Sequence, residues 1–358
     1  MPFCIEICPY CAFYKMPVDR DRMALFSNNL IQEMALYYET YGRINVNSIY
    51  FGGGTPNVLP LQWLDQIFES IHRYFKVVPG SEISMEMNPG VHSNVKLAHL
   101  VRLGINRASI GAQSFNGTVL KDYGRNHDVL DLKMFMTQVF EAGLDNVSID
   151  IIFGHPSHGI RELSTSLNVL NNYPIKHVSL YGLTIEEGTP FYISNLTVND
   201  DQQADEYEYI QNSLMSLNFH QYEVSNFAKS GFQSQHNIKY WTFSPTIGLG
   251  PGAHSFFQGY RYSNDHDYAN YLLNLHGKLP QSNSLKMDWL EYISTRLRYI
   301  SPIYFKQLEH FFGRQKIDKV RKILNKNVFN NIVYQNNEYF YIKKEGLALV
   351  DEVVCYLI

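Results

Sequence analysis

Cysteine is scarce in this chain: Cys4, Cys8, Cys11 and Cys355 are the only four among 358 residues. That excludes a disulfide scaffold, which needs more cysteines in a shorter secreted chain. No run of about 18 uninterrupted apolar residues offers a membrane span. The opening MPFCIEICPY lacks the basic and apolar regions of a secretory signal, so a soluble cytoplasmic protein is expected. Excess positive charge is missing too: Lys and Arg number 30 against 34 Asp and Glu, a net charge of -4. With no basic run, nucleic acid is excluded as a partner and a membrane is reachable only through another protein. There is no internal repeat and no low-complexity block. Hydrophobic residues at 45% and charged residues at 18% describe an ordinary globular chain with a full core. Its length suits one large domain with at most one or two smaller ones, at roughly 100–200 residues each.

What is present is an alternation. NSIYFGGG, EISMEMNPG, RASIGAQS, VSIDIIFG and HVSLYGLT read as strands. Between them Pro60–Phe75, Val95–Leu103, Leu130–Ala142 and Gly159–Asn171 read as helices. Repeated βαβ units predict a parallel sheet: a partial (β/α) barrel of the TIM type, with a doubly wound open sheet as the alternative. After about Tyr260 the pattern changes. Trp289–Leu297, Pro302–Phe312 and Lys344–Ile358 read as helices and NEYFYI as a strand. The expected division is a barrel domain over 1–258 and a small α+β domain over 259–358.

Cys4, Cys8 and Cys11 form C-x3-C-x2-C. Soft thiolates this close suit a loop around a compact inorganic core. Three of them leave one position of a four-iron cluster open, the mark of a catalytic site. A zinc site completed by a distant histidine is the competing reading. Cys355 lies in the apolar VVCYLI and is expected to be a small core residue. Gly52-Gly53-Gly54-Thr55-Pro56 follows a strand and lets backbone amides approach a ligand. It is neither a P-loop nor a dinucleotide fingerprint. Glu86, Gln113, Asp150 and Thr184 lie at or near strand ends, where barrel sites are built.

In order along the chain stand YFGGGTP, Glu86-Met87-Asn88-Pro89, Gly111-Ala112-Gln113-Ser114-Phe115, Gly124-Arg125-Asn126-His127, His236-Asn237-Ile238-Lys239-Tyr240-Trp241 and Gly250-Pro251-Gly252-Ala253-His254. With the cysteine motif they resemble the radical S-adenosylmethionine superfamily, and within it the HemW family of haem chaperones, relatives of the oxygen-independent coproporphyrinogen III oxidases (HemN). The resemblance implies a [4Fe-4S] cluster on Cys4, Cys8 and Cys11. It implies S-adenosylmethionine on the open iron, with Gly53, Gly54 and Thr55 at its methionine part and Tyr10 near its adenine. Glu86, Gln113, Arg125 and Asp150 would line the nucleotide sites, and residues 259–358 would form a HemN-like helical or winged domain. Haem would be cargo, delivered to an acceptor protein, with an electron donor as second partner.

The oxidases carry a further cysteine two places after the third, where this chain has Phe13. That and the HNxxYW motif favour the chaperone over radical decarboxylation of coproporphyrinogen III. His236 is the candidate haem ligand, with His254 competing. Two departures stand out. The family has a strand just before the first cysteine, which Met1-Pro2-Phe3 leaves no room for, so a start upstream is expected. Gly154-His155-Pro156-Ser157-His158-Gly159 replaces a more apolar sequence beside Asp150.

Overall fold

The computed structural model describes residues 1–90, 94–274 and 285–358. The chain opens with a two-residue parallel pairing, Phe3–Cys4 beside Met16–Pro17, which pins both ends of the cysteine loop. The central sheet has strands β1 (Asn45–Phe51), β2 (Lys76–Met87), β3 (Arg107–Gln113), β4 (Val147–Phe153), β5 (His177–Gly182), β6 (His220–Gln221) and β7 (Asn226–Ala228), in the order β1-β2-β3-β4-β5-β7-β6. β1 to β5 are parallel neighbours in chain order. A doubly wound sheet reverses its strand order at a switch point. None occurs among the described residues, so the partial barrel is the fold. β7 runs antiparallel beside β5.

The strands join through helices α1 (Arg20–Tyr41), α2 (Leu61–Tyr74), α3 (Asn94–Leu103), α4 (Gly117–Asp122), α5 (Val129–Glu141), α6 (Ile160–Val169) and α7 (Asp200–Ser216); α8 (Gln235–Thr242) follows β7. In α2, Trp63, Leu64, Ile67, Phe68 and Ile71 are buried, the stripe a helix needs to cover a sheet. Asp128 and Asp131 form a capping box that starts α5, a feature worth about 1 kcal/mol. The first core runs from Phe3 to Phe227. A second gathers Trp289, Ile293, Leu308, Ile317, Val320, Phe340 and Val353 around a three-stranded antiparallel sheet.

The four helices expected between strands are present within about two residues. Several features differ from expectation. α1 and α7 were not legible, because Ser27, Asn29, Glu33 and Glu206 are buried on their inner faces and blur the period. The strand expected at EISMEMNPG starts earlier, at Lys76. The final helix is Val350–Leu357, preceded by a 3-10 segment from Lys344. Cys355 is exposed on that helix rather than in the core, because Val353, Val354 and Leu357 take the inward face.

Candidate cluster and cofactor site

The cysteine loop lies at the C-terminal end of the parallel strands, against the glycine segment. Thr55 N–H donates to Phe3 O at 2.7 Å, and Gly54 N–H to Met1 O at 2.8 Å. A Cβ on Gly54 would lie 2.7 Å from Phe3 O and 3.0 Å from Cys4 Sγ, so only glycine admits the loop. Gly53 has a φ of 114° and donates its N–H to Glu86 Oε2 at 3.0 Å.

Cys4 is buried, Cys8 and Cys11 are half-buried, and all three are free thiols. Thr55 Oγ1 donates to Cys4 Sγ at 3.6 Å, and Arg125 Nη1 to Cys8 Sγ at 3.4 Å. Burial pushes the Cys4 thiol up. Their sulfurs do not all lie within 4.8 Å of one another.

Behind the cysteines a polar wall joins three strands. Arg125 Nη2 donates to Asn88 Oδ1 at 2.8 Å and to Gly111 O at 2.9 Å. Asn88 Nδ2 donates to Thr55 Oγ1 at 2.9 Å. Arg125 Nε is buried and without a partner among the described residues, a donor that a bound group would satisfy. Gln113 adopts a φ of 63° at a bulge between β3 and β4, which brings its amide beside Gly111. Glu86 accepts from the Tyr50 hydroxyl at 2.7 Å, and burial pushes its carboxyl up to about 7. A carboxyl poised there can take a proton or accept from a ligand's amino or hydroxyl group.

Other candidates sit differently. Asp150 lies inside the sheet, where Ser109 Oγ is 3.0 Å from both its oxygens; burial pushes its carboxyl up. Tyr10 packs edge-on against Tyr123 at 5.4 Å, and burial pushes its phenol up. His236 is buried in the barrel, stacked on Tyr50 at 5.2 Å. Its Nδ1 meets Ser48 Oγ at 2.9 Å and its Nε2 meets the Tyr240 hydroxyl at 3.1 Å. His254 is exposed, and neither ring nitrogen is hydrogen-bonded among the described residues. The structure thus brings Cys4, Cys8, Gly53, Gly54, Thr55, Glu86, Gln113 and Arg125 together, and leaves His236 below them and His254 apart. Sequence reasoning gave no role to Tyr50 and Asn88. The strand period of two signals the second, since Asn88 shares a face with Glu86.

Comparison with known proteins follows the same lines. Residues 1–170 match the Radical SAM superfamily. Heme chaperone HemW of Bacillus subtilis is 30% identical, the match covering 99% of this chain and 96% of the relative. The chain belongs to the HemW family. HemW of Escherichia coli is 33% identical over 71% of this chain and 68% of its own length. The radical SAM enzyme coproporphyrinogen III oxidase (HemN) from Escherichia coli superposes with a TM-score of 0.85 at 17% identity, covering 100% of this chain and 88% of that one. That likeness is one of fold. Superfamily membership implies a [4Fe-4S] cluster and S-adenosylmethionine, and the free thiols, the orphan Arg125 Nε and the glycine cradle fit them. Among the described residues no helix is long and apolar enough to cross a membrane.

Proposed function

We propose that this member of the HemW family binds haem and transfers it to an acceptor protein. The observation that carries this reading is the match to a named haem chaperone along 99% of the chain. Phe13 supports it: where the oxidases carry a further cysteine, this chain presents an exposed ring. Cys4, Cys8 and Cys11 would hold the cluster. Gly53, Gly54, Thr55, Glu86, Gln113 and Arg125 would hold S-adenosylmethionine, with Tyr10 closing one side and Asp150 below. When bound, such a pair supplies one-electron cleavage of a sulfonium. The chain's own residues orient the pair and exclude water.

An open groove of about 630 Å³ lies beyond β5, lined by Leu183, Thr184, Ile185, Tyr192 and Leu196. That volume falls in the range of ligand sites, roughly 300–1,000 Å³. Leu183, Ile185 and Leu196 also pack in the apolar group that holds Tyr10, which places the groove beside the cluster loop. For the iron ligand, His236 would have to give up its bond to Tyr240, whereas exposed His254 needs no such exchange.

The test is anaerobic, on protein with its cluster reconstituted. Haem is titrated by absorbance into wild type, His236→Ala and His254→Ala. In parallel, coproporphyrinogen III, S-adenosylmethionine and reductant are added and the tetrapyrrole followed. Haem binding, weakened by one histidine change, with no decarboxylated product supports the chaperone. Stoichiometric decarboxylation would make the protein an oxidase.

A further inference from the structure

A second group of metal-binding side chains lies outside the cluster site. Asp122 closes α4, and His155 and His158 stand on the loop after β4. One donor atom from each lies within 4.8 Å of the other two, and among the described residues no other three His, Cys, Asp or Glu residues meet that spacing. His158 Nε2 is 2.7 Å from Asp122 Oδ2, and the two imidazole rings are 4.9 Å apart. We propose that Asp122, His155 and His158 bind one divalent transition ion that prefers nitrogen donors, Zn²⁺ or a close neighbour, tying α4 to the loop after β4.

The donor set decides the class of ion. Two imidazoles and a carboxylate suit zinc, nickel or copper, whereas calcium and magnesium take oxygen ligands. Three protein ligands leave room for a water, as in open zinc sites. Around a tetrahedral ion with bonds near 2.0–2.2 Å, donors sit about 3.4 Å apart, so the 2.7 Å His158–Asp122 pair must open slightly while the third donor, within 4.8 Å, draws in. The ion would replace the proton now shared by His158 and Asp122, and that proton would leave to solvent past the exposed carboxylate. His155 supplies a neutral lone pair, for which the ion competes with the Ser157 N–H, 3.2 Å from Nδ1.

The loop is held in place beforehand. Gln202 Nε2 donates to His155 O at 3.1 Å, to His158 O at 2.5 Å and to Glu206 Oε1 at 2.7 Å. Glu206 Oε2 accepts the Gly154 N–H at 2.7 Å. A mere surface His–Asp contact needs no such backing, and is worth at most about 1 kcal/mol. Tyr123, beside Asp122, packs edge-on against both His155 and Tyr10 at 5.4 Å. An ion here would stiffen the wall behind the cluster loop.

The test uses the full chain, cluster-loaded so that Cys4, Cys8 and Cys11 are occupied and only the exposed Cys355 thiol remains, titrated anaerobically with Zn²⁺ by calorimetry in excess Mg²⁺. Wild type should bind one Zn²⁺ per chain. Asp122→Asn and His158→Gln should each weaken it by more than the roughly 10–100-fold that loss of an outer-sphere partner brings. Unchanged cluster absorbance and melting of the ion-free variants would show that they fold. Anomalous diffraction at the zinc edge should place the ion between the three side chains. No bound equivalent in wild type, or unchanged affinity in both variants, overturns the proposal. Neither result touches the haem reading, because no haem is present.

Discussion

Arg125 places its Nη1 at 3.4 Å from Cys8 Sγ, across 117 positions of sequence. Its other terminal nitrogen holds Asn88 and the Gly111 carbonyl. One guanidinium therefore links the cysteine loop to the ends of β2 and β3. A lysine would keep the charge and lose the fork. Arg125→Lys should lower cluster retention under a chelator about 10–100-fold, the equivalent of a lost bond to a charged group at roughly 1.5–3 kcal/mol. Iron per chain after the challenge is the readout, and wild-type retention would contradict the role.

Gly54→Ala should reduce cluster loading sharply. The new methyl meets Phe3 O at 2.7 Å and Cys4 Sγ at 3.0 Å, and overpacking of this kind costs about 1–3 kcal/mol. Gly117→Ala is the control, since nothing lies within 4 Å of its Cβ. Reconstituted absorbance should separate the two; equal loading would mean that the loop yields freely.

Serine at Cys4, Cys8 or Cys11 should abolish the cluster, whereas Cys355→Ser should leave iron content unchanged. Cys355 is exposed on the last helix. Loss of iron in that variant would reveal a fourth thiolate ligand.

Glu223 tests the electrostatics away from the cofactors. It is fully buried, accepts the Ser225 N–H at 3.0 Å, and burial raises its carboxyl from 4.5 to about 7. Between those values the native state holds a proton that the unfolded chain has released. Its stabilising contribution is therefore complete below about pH 4.5 and falls as pH rises through about 7. The fall is on the order of 3 kcal/mol at about 1.4 kcal/mol per unit. Urea unfolding from about pH 5 to about pH 8 should show wild type losing more stability than Glu223→Gln, the difference between the two being this share, since Glu33 and Glu86 are raised to about 7 as well and remain in both. Parallel slopes in the two proteins would place the titration elsewhere.

The legible parts share a cause. C-x3-C-x2-C and YFGGGTP are local; residue type and spacing were enough to mark a metal-ligating loop and a glycine turn open to a ligand, and the structure packs the two together. The β1–β5 alternation was legible because each strand carries a short β-branched, aromatic or aliphatic run that stops at turn residues, and a covering helix such as α2 shows one apolar stripe. α1 escaped because buried Glu33 bonds Gly250, Asn264 and Tyr271, partners more than 200 positions away.

The chain's composition and short-range spacing were enough to give the α/β class and to single out the cysteine and glycine loops, because each depends on neighbours within a few residues; the strand order then chose the partial barrel over the doubly wound sheet. Only tertiary structure could set Arg125 against Cys8, turn Cys355 outward, engage both nitrogens of His236, and bring Asp122 to His155 and His158. Those relationships join residues tens to hundreds of positions apart. They depend on strand register, helix rotation and burial, which no local spacing encodes.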